Sequence, residues 1–163
     1  MYANIDKLAG LMRLNSNIYR CSQVYLDRNL AKFNLSMGTY PYLLVLKRLP
    51  GISQNYISRE LSVDKAMSAR TIKKLIDEGY IRKEENKDDI RAYKLYITEK
   101  AQTIIPEILK IVHEWIDMIV PKDEADNKEI IETAITFLEQ VLDNSRKYKC
   151  CCNDKTKGVH NNE

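Results

Sequence analysis

Apolar residues recur at helical intervals from Ile5 to about Phe33, at Ile5, Leu8, Met12, Ile18, Val24, Leu26 and Leu30. This spacing predicts one long amphipathic helix. Gly10 lies inside it and costs about 1 kcal/mol relative to alanine, too little to end it. Ser36 is the predicted N-cap of a second helix that ends near Leu49, before the Pro50-Gly51 stop. Pro41 lies beyond the first helical position that proline favours, which predicts a late start or a distortion there.

The pattern then shortens. Ser53 can cap a helix from Gln54 to Leu61, and Asp64 a helix from Lys65 to Glu78 that Gly79 closes. Ser62-Val63-Asp64 is the turn between them, and Ile57, Leu61, Val63, Ile72, Leu75 and Ile76 form their shared core. Tyr80 to Glu85 and Arg91 to Thr98 read as strands of a hairpin with a charged tip. In the second, Tyr93, Leu95 and Ile97 point one way, and Lys94 and Tyr96 the other. Thr98 can cap a further helix that carries Ile104, Ile105, Ile108, Val112, Trp115 and Ile119, contains Pro106 and ends at Pro121. A last amphipathic helix is predicted from Glu124 to about Tyr148, followed by a polar, disordered tail over 149–163.

Composition narrows the class. The 163 residues are 44% hydrophobic and 30% charged, with five Gly and four Pro, as a helix-rich globular fold requires. No apolar run is long enough for a membrane span, and the charged N-terminus lacks the h-region of a secretory signal. The expected location is the cytoplasm. A net charge of +3 permits nucleic-acid binding without requiring it, so folding must gather any basic face. Cys21 is read as a buried structural thiol. Cys150, Cys151 and Cys152 lack zinc-ligand spacing, and with His160 they could oxidise or bind metal between subunits. The plainer reading is a reduced tail. The histidines are His113 and His160, and there is no phosphate loop, nucleophile elbow or paired metal-ligand motif. The sequence therefore indicates no enzyme, cofactor or metal.

Two short helices, a glycine stop and a charged hairpin are the pattern of a winged helix-turn-helix, which sets one helix in the DNA major groove and a β-loop beside it. The expected fold is mainly α (α+β). A winged module over 35–101 lies between long terminal helices, 1–34 and 102–148, that form a dimerisation region. In the reading helix Lys65, Ala66, Met67, Ala69, Arg70 and Lys73 can face outward. Arg70 suits bidentate readout of guanine; Ala66, Met67 or Ala69 can touch a thymine methyl; Lys65, Lys73 and Lys74 can pair with phosphates. Ser53, Gln54 and Asn55 offer a phosphate contact in the helix before it, or capping alone. At the hairpin tip Asp89 can hold Arg91 for the minor groove, with Lys87 and Lys94 on the backbone; the same spacing fits an exposed ion pair. A protein-interaction module without specific DNA binding is the competing function.

The segment from Leu61 to Ala101 resembles the MarR (multiple antibiotic resistance regulator) family. The resemblance rests on Val63-Asp64-Lys65, Arg70, Leu75, Gly79-Tyr80-Ile81-Arg82, Asp89-Ile90-Arg91 and Ile97-Thr98-Glu99-Lys100, and covers about Ile5 to Tyr148. Departures are Ser68 and Thr71 at usually apolar positions, Ala101 for the usual glycine, and Pro41. The resemblance implies a homodimeric regulator of double-stranded DNA, with Arg70 as a recognition-helix contact and Asp89 and Arg91 as the wing pair. It further implies a ligand-responsive repressor on a pseudo-palindromic operator. Arg13, Tyr40, Tyr42 and His113 are candidates to line a pocket for a small-molecule effector.

Overall fold

A computed structural model describes residues 2–86, 89–121 and 127–155. The elements in order are α1 (Tyr2–Leu30), a 3-10 turn (Ala31–Phe33), α2 (Tyr40–Arg48), α3 (Gln54–Glu60), α4 (Lys65–Asp77), β1 (Ile81–Asn86), β2 (Asp89–Ile97), α5 (Glu99–Ile119) and α6 (Asn127–Lys155). They fall into two compact units, Met1–Ile119 and Val120–Glu163. Among the described residues no helix is long and apolar enough to cross a membrane.

In the first unit, α1 buries Ser22, Leu26 and Leu30, one face at four-residue spacing, while Met12, Ile18, Tyr19 and Val24 stay exposed. The Trp115 indole of α5 donates to Ser22 Oγ at 2.9 Å and stacks on Tyr25 with centroids 4.9 Å apart. The chain leaves α1 through Asn34 in the left-handed region (φ 55°). Asparagine tolerates that conformation better than most residues.

The second helix starts later than Ser36 would set it. Thr39 is the residue before α2, and Pro41 then falls at the second helical position. First-turn N–H groups have no partner within the helix, so proline removes nothing there. Ser36 to Thr39 instead closes a turn: the Ser36 N–H donates to Thr39 Oγ1 at 2.7 Å, and the Tyr40 N–H to the Ser36 carbonyl at 3.0 Å.

The α3–α4 pair has the predicted caps. Ser53 Oγ accepts from the Tyr56 N–H at 3.2 Å. Asp64 Oδ1 accepts from Ala66 and Met67 at 2.8 and 3.2 Å. Ser62, at φ 55°, makes the left-handed bend between the helices. Ile57, Ile72 and Leu75 are buried, with Leu61, Val63 and Ile76 half-buried against them. Gly79 (φ 75°) ends α4, its N–H donating to the Ile76 carbonyl and that of Tyr80 to Leu75. Thr98 Oγ1 accepts from Ala101 and donates to the Gly79 carbonyl at 2.7 Å, so one hydroxyl joins the end of α4 to the start of α5. Tyr80 Oη donates to the Phe33 carbonyl at 2.8 Å, and Lys100 lies 4.3 Å from the Tyr80 ring centroid.

The hairpin pairs antiparallel from Ile81↔Ile97 to Asn86↔Asp89, with an irregularity between Glu85 and Asn86. Ile52 forms an isolated bridge to Leu95: Gly51 N–H donates to Leu95 O at 2.9 Å and Leu95 N–H to Ile52 O at 3.0 Å. The wing is thereby tied to the loop after α2. Gly51 makes this possible with φ 79°, and a Cβ there would lie 3.0 Å from Tyr96 Oη and 3.3 Å from Tyr96 Cζ. Gly79 has a similar φ, but a Cβ there would meet only Lys100 Cδ at 3.9 Å. Gly79→Ala should therefore cost only the left-handed strain, about 1–2 kcal/mol. Gly51→Ala should cost more, because the Tyr96 ring, which stacks 4.8 Å from the Arg82 guanidinium, must also give way by a few tenths of an ångström. Urea denaturation of both variants measures the difference, and equal losses would contradict it.

Helix α5 runs through Pro106, which is exposed, without a break in the helix. Taken by itself, α6 is longer than the sequence reading has it. It continues past Tyr148 to Lys155, so Cys150, Cys151 and Cys152 lie on helical backbone and not in a tail beginning at residue 149. No Gly or Pro stands between Asn127 and Gly158 to stop it. Residues 156–163, with His160, lie outside the described residues.

Candidate nucleic-acid interface

Helix α4 divides cleanly into two faces. Ser68, Ile72 and Leu75 point inward and are at most 4% exposed. Lys65, Ala66, Met67, Arg70, Lys73 and Lys74 point outward and are exposed, with Ala69 half-buried beside them. Of the positions expected to face outward, Lys65, Ala66, Met67, Arg70 and Lys73 are exposed and Ala69 is half-buried. Among the described residues Arg70, Lys65, Lys73 and Lys74 enter no ion pair with a carboxylate. The Arg70 Nε–H reaches back to the Ala66 carbonyl at 3.4 Å. Elsewhere cations are neutralised, as in Arg48 with Glu60 and Lys32 with Glu107.

At the start of α3, Gln54 and Asn55 are exposed, and Ser53 is half-buried with its hydroxyl engaged as cap. On the wing, Lys94 is half-buried and sits opposite Glu84 in the register. Asp89 and Arg91 fall within β2 by backbone, but their side chains and the whole of Lys87 lie outside what is described.

Between these elements lies an open cleft of about 650 Å³. Its walls are the start of α3 (Ser53, Gln54, Asn55), the α4 side with Ala69, Lys73 and Asp77, and the wing with Lys83, Tyr93 and Leu95. Lys83 and Tyr93 are absent from the sequence-derived candidates. Lys83 Nζ stands over the Tyr93 ring, 4.8 Å from its centroid, so a cation and an aromatic face meet in the wing wall of the cleft. The signal available in sequence was alternation alone, which puts Tyr93 on the Leu95 face; that Lys83 stands opposite Leu95, diagonal to Tyr93, follows only from the register.

The four effector candidates line other parts of the molecule than this cleft. Arg13 and His113 are exposed on α1 and α5. Tyr40 is half-buried, and burial pushes its phenol above the ordinary tyrosine value. Tyr42 is 2% exposed in the core, its hydroxyl without a hydrogen-bond partner among the described residues. Tyr80 is also raised, by burial and then by the Glu78 carboxylate, which keeps it a donor to Phe33. Cys21 is exposed on α1, in place of the expected buried position, because the buried stripe of that turn runs through Ser22. Among the described residues no group of three His, Cys, Asp or Glu side chains could hold a metal ion.

A short helix pair with a basic outward helix, flanked by a two-stranded hairpin, defines a winged helix-turn-helix protein. The MarR family model matches residues 33–92. Over 118 residues the chain is 33% identical to the HTH-type transcriptional regulator BilQ of Clostridioides difficile (strain CD3), spanning 71% of this chain and 79% of that protein. The crystal structure of a MarR transcriptional regulator from Methanosarcina mazei Go1 superposes with a TM-score of 0.77 at 31% identity, covering 83% of this chain and 98% of that one. A mutant MarR from E. coli, complexed with operator DNA, shares the fold at 17% identity, with a TM-score of 0.71 over 82% of this chain and 96% of that one. The chain belongs to the MarR family of winged helix-turn-helix regulators and is a DNA-binding regulator of transcription.

Proposed function

We propose that this regulator is a cytoplasmic homodimeric repressor that binds a pseudo-palindromic operator and is released by a small-molecule effector. The observation that carries DNA reading is the outward face of α4, where one arginine and three lysines stand exposed without carboxylate partners among the described residues. In this reading the winged module, 35–101, binds DNA, and the terminal helices, 1–34 and 102–148, hold two copies together. Arg70, Ala66, Met67 and Ala69 meet base edges. Lys65, Lys73, Lys74, Ser53, Gln54 and Asn55 meet the phosphate backbone. Asp89 orients Arg91 in the minor groove, with Lys87 and Lys94 beside it. The operator complex of the E. coli relative supports the same use of the fold.

Dimerisation is supported by apolar side chains left in the open. Met12, Ile18 and Val24 are exposed on α1, and Ile131, Ile135, Leu138 and Leu142 form an exposed stripe on α6 at heptad-like spacing. Faces of this kind call for another subunit. Two copies would set their α4 helices about 34–36 Å apart, one turn of DNA. The effector would act between α1, α5 and the winged module, with Arg13, Tyr40, Tyr42 and His113 as its candidate contacts.

The test joins mass to binding. Sedimentation should give twice the 19.0 kDa chain mass for wild type and a shift toward monomer for Leu138→Glu. Fluorescence anisotropy on the promoter region upstream of the protein's own gene should show tight, competitor-resistant binding that Arg91→Ala weakens. Competitor-sensitive binding equal in both proteins would favour the protein-interaction reading.

A further inference from the structure

The outward face of α4 has a one-sided chemistry that bears on which bases it can read. In its first two turns Lys65, Ala66, Met67 and Arg70 are exposed, and Ala69 and Thr71 are half-buried beside them. Two of these are strong donors, three are apolar and one carries a hydroxyl; none is an amide or a carboxylate. The hydroxyl of Ser68 is fully buried. The Asp64 carboxylate is held by the Ala66 and Met67 N–H groups as the helix cap. The face therefore lacks the amide that pairs with adenine N6 and N7, and a carboxylate free to accept from cytosine N4.

What it offers is complementary to two base edges. Guanine presents two acceptors in the major groove, and thymine presents a methyl group. The Arg70 side chain lies back along its own helix, Nε–H toward the Ala66 carbonyl, as helical side chains lean toward the N-terminus. That contact engages Nε and leaves the two terminal nitrogens to form the fork, with no ion pair to a carboxylate among the described residues. Met67 is 53% exposed, a large apolar side chain held at the surface one turn from Arg70.

Resting on the reading that α4 enters the major groove, we infer that the operator half-site is a guanine flanked by thymines, read by Arg70 at O6 and N7 and by Ala66, Met67 and Ala69 at thymine 5-methyl groups. Discrimination at the flanking positions is then by methyl contact and not by hydrogen bonds.

The experiment uses the full-length protein and chemically altered DNA. Duplexes enriched by wild type from a randomised pool supply the half-site. Anisotropy then compares that duplex with versions carrying 7-deazaguanine for the guanine, or deoxyuridine for one thymine at a time. Loss of N7 should weaken binding about tenfold or more in wild type and have no effect in Arg70→Ala. Each contacted thymine should lose about fourfold on removal of its methyl, the value for one buried carbon. Met67→Ala should abolish that sensitivity at one thymine. Both side chains are exposed, so the variants should melt with wild type. An enriched half-site without guanine, or tight binding indifferent to uracil and 7-deazaguanine, overturns the inference while leaving operator binding intact. Enrichment of no sequence overturns both.

Discussion

Leu75→Ala should destabilise the protein by about 2–5 kcal/mol, and Ser68→Ala should stabilise it by about 1 kcal/mol, although the two residues lie on the same buried face of α4. Leu75 is 0% exposed and packs with Ile57 and Ile72 where α3 meets α4. Truncation removes the transfer energy of its side chain and leaves a cavity, which sets the expected size of the loss. Against a total stability of about 5–15 kcal/mol, that is enough to compromise folding of the reading helix. Ser68 is equally inaccessible, but its Oγ finds no hydrogen-bond partner among the described residues. A buried hydroxyl in that state costs about 1–3 kcal/mol of desolvation. Alanine keeps the Cβ packing and the helix propensity and removes the cost. Denaturant melts with an unchanged slope would show both effects. A loss of stability in Ser68→Ala would mean that the hydroxyl has a partner.

The contrast also marks what sequence could and could not supply. The positions 68, 72 and 75 fall at helical spacing, so the buried face of α4 was legible, as were its Asp64 cap and Gly79 stop. Ser68 stood out as a departure from the apolar pattern, but whether its hydroxyl is satisfied depends on atoms from other elements. The start of α2 was half legible. Ser36 and Thr39 are both competent caps, and Pro41 decides between them by position: from Thr39 it falls in the first turn, from Ser36 it would fall in the second. The proline pointed to a late start or a distortion, and the late start is what the structure has.

Contacts between distant segments were not legible. The Ile52–Leu95 bridge, the Tyr80–Phe33 hydrogen bond and the meeting of Lys83 with Tyr93 at the cleft join residues that no local periodicity relates. The first two depend on how separate elements pack, and the third on the register of the hairpin. Extra length in α6 was legible in principle, since nothing between Asn127 and Lys155 breaks a helix, but polar composition argued for a tail. Composition reports solvation; it does not by itself report helix ends.

Replacing Lys65, Lys73 and Lys74 together by alanine should flatten the salt dependence of operator binding more than any other change on this surface. The net charge of the chain is only +3, so long-range attraction is weak and the salt response reports local phosphate contacts. Each neutralised phosphate contributes a slope of about 0.9 in log K against log salt. In the proposed homodimer three lysines in each half would make six contacts, so the slope should fall by about 5. Over a rise from about 50 to 200 mM salt, wild type should then lose about a thousandfold more affinity than the triple variant. All three side chains are exposed and in no ion pair among the described residues, so helix stability should hold or rise slightly with alanine. Lys110→Ala is the control: that lysine lies 3.9 Å from Glu114 on α5, away from the reading helix, and its removal changes the charge without changing the slope. An unchanged slope in the triple variant would place the DNA on another face of the molecule. A slope that falls equally in Lys110→Ala would mean that overall charge, and not contact through α4, drives binding.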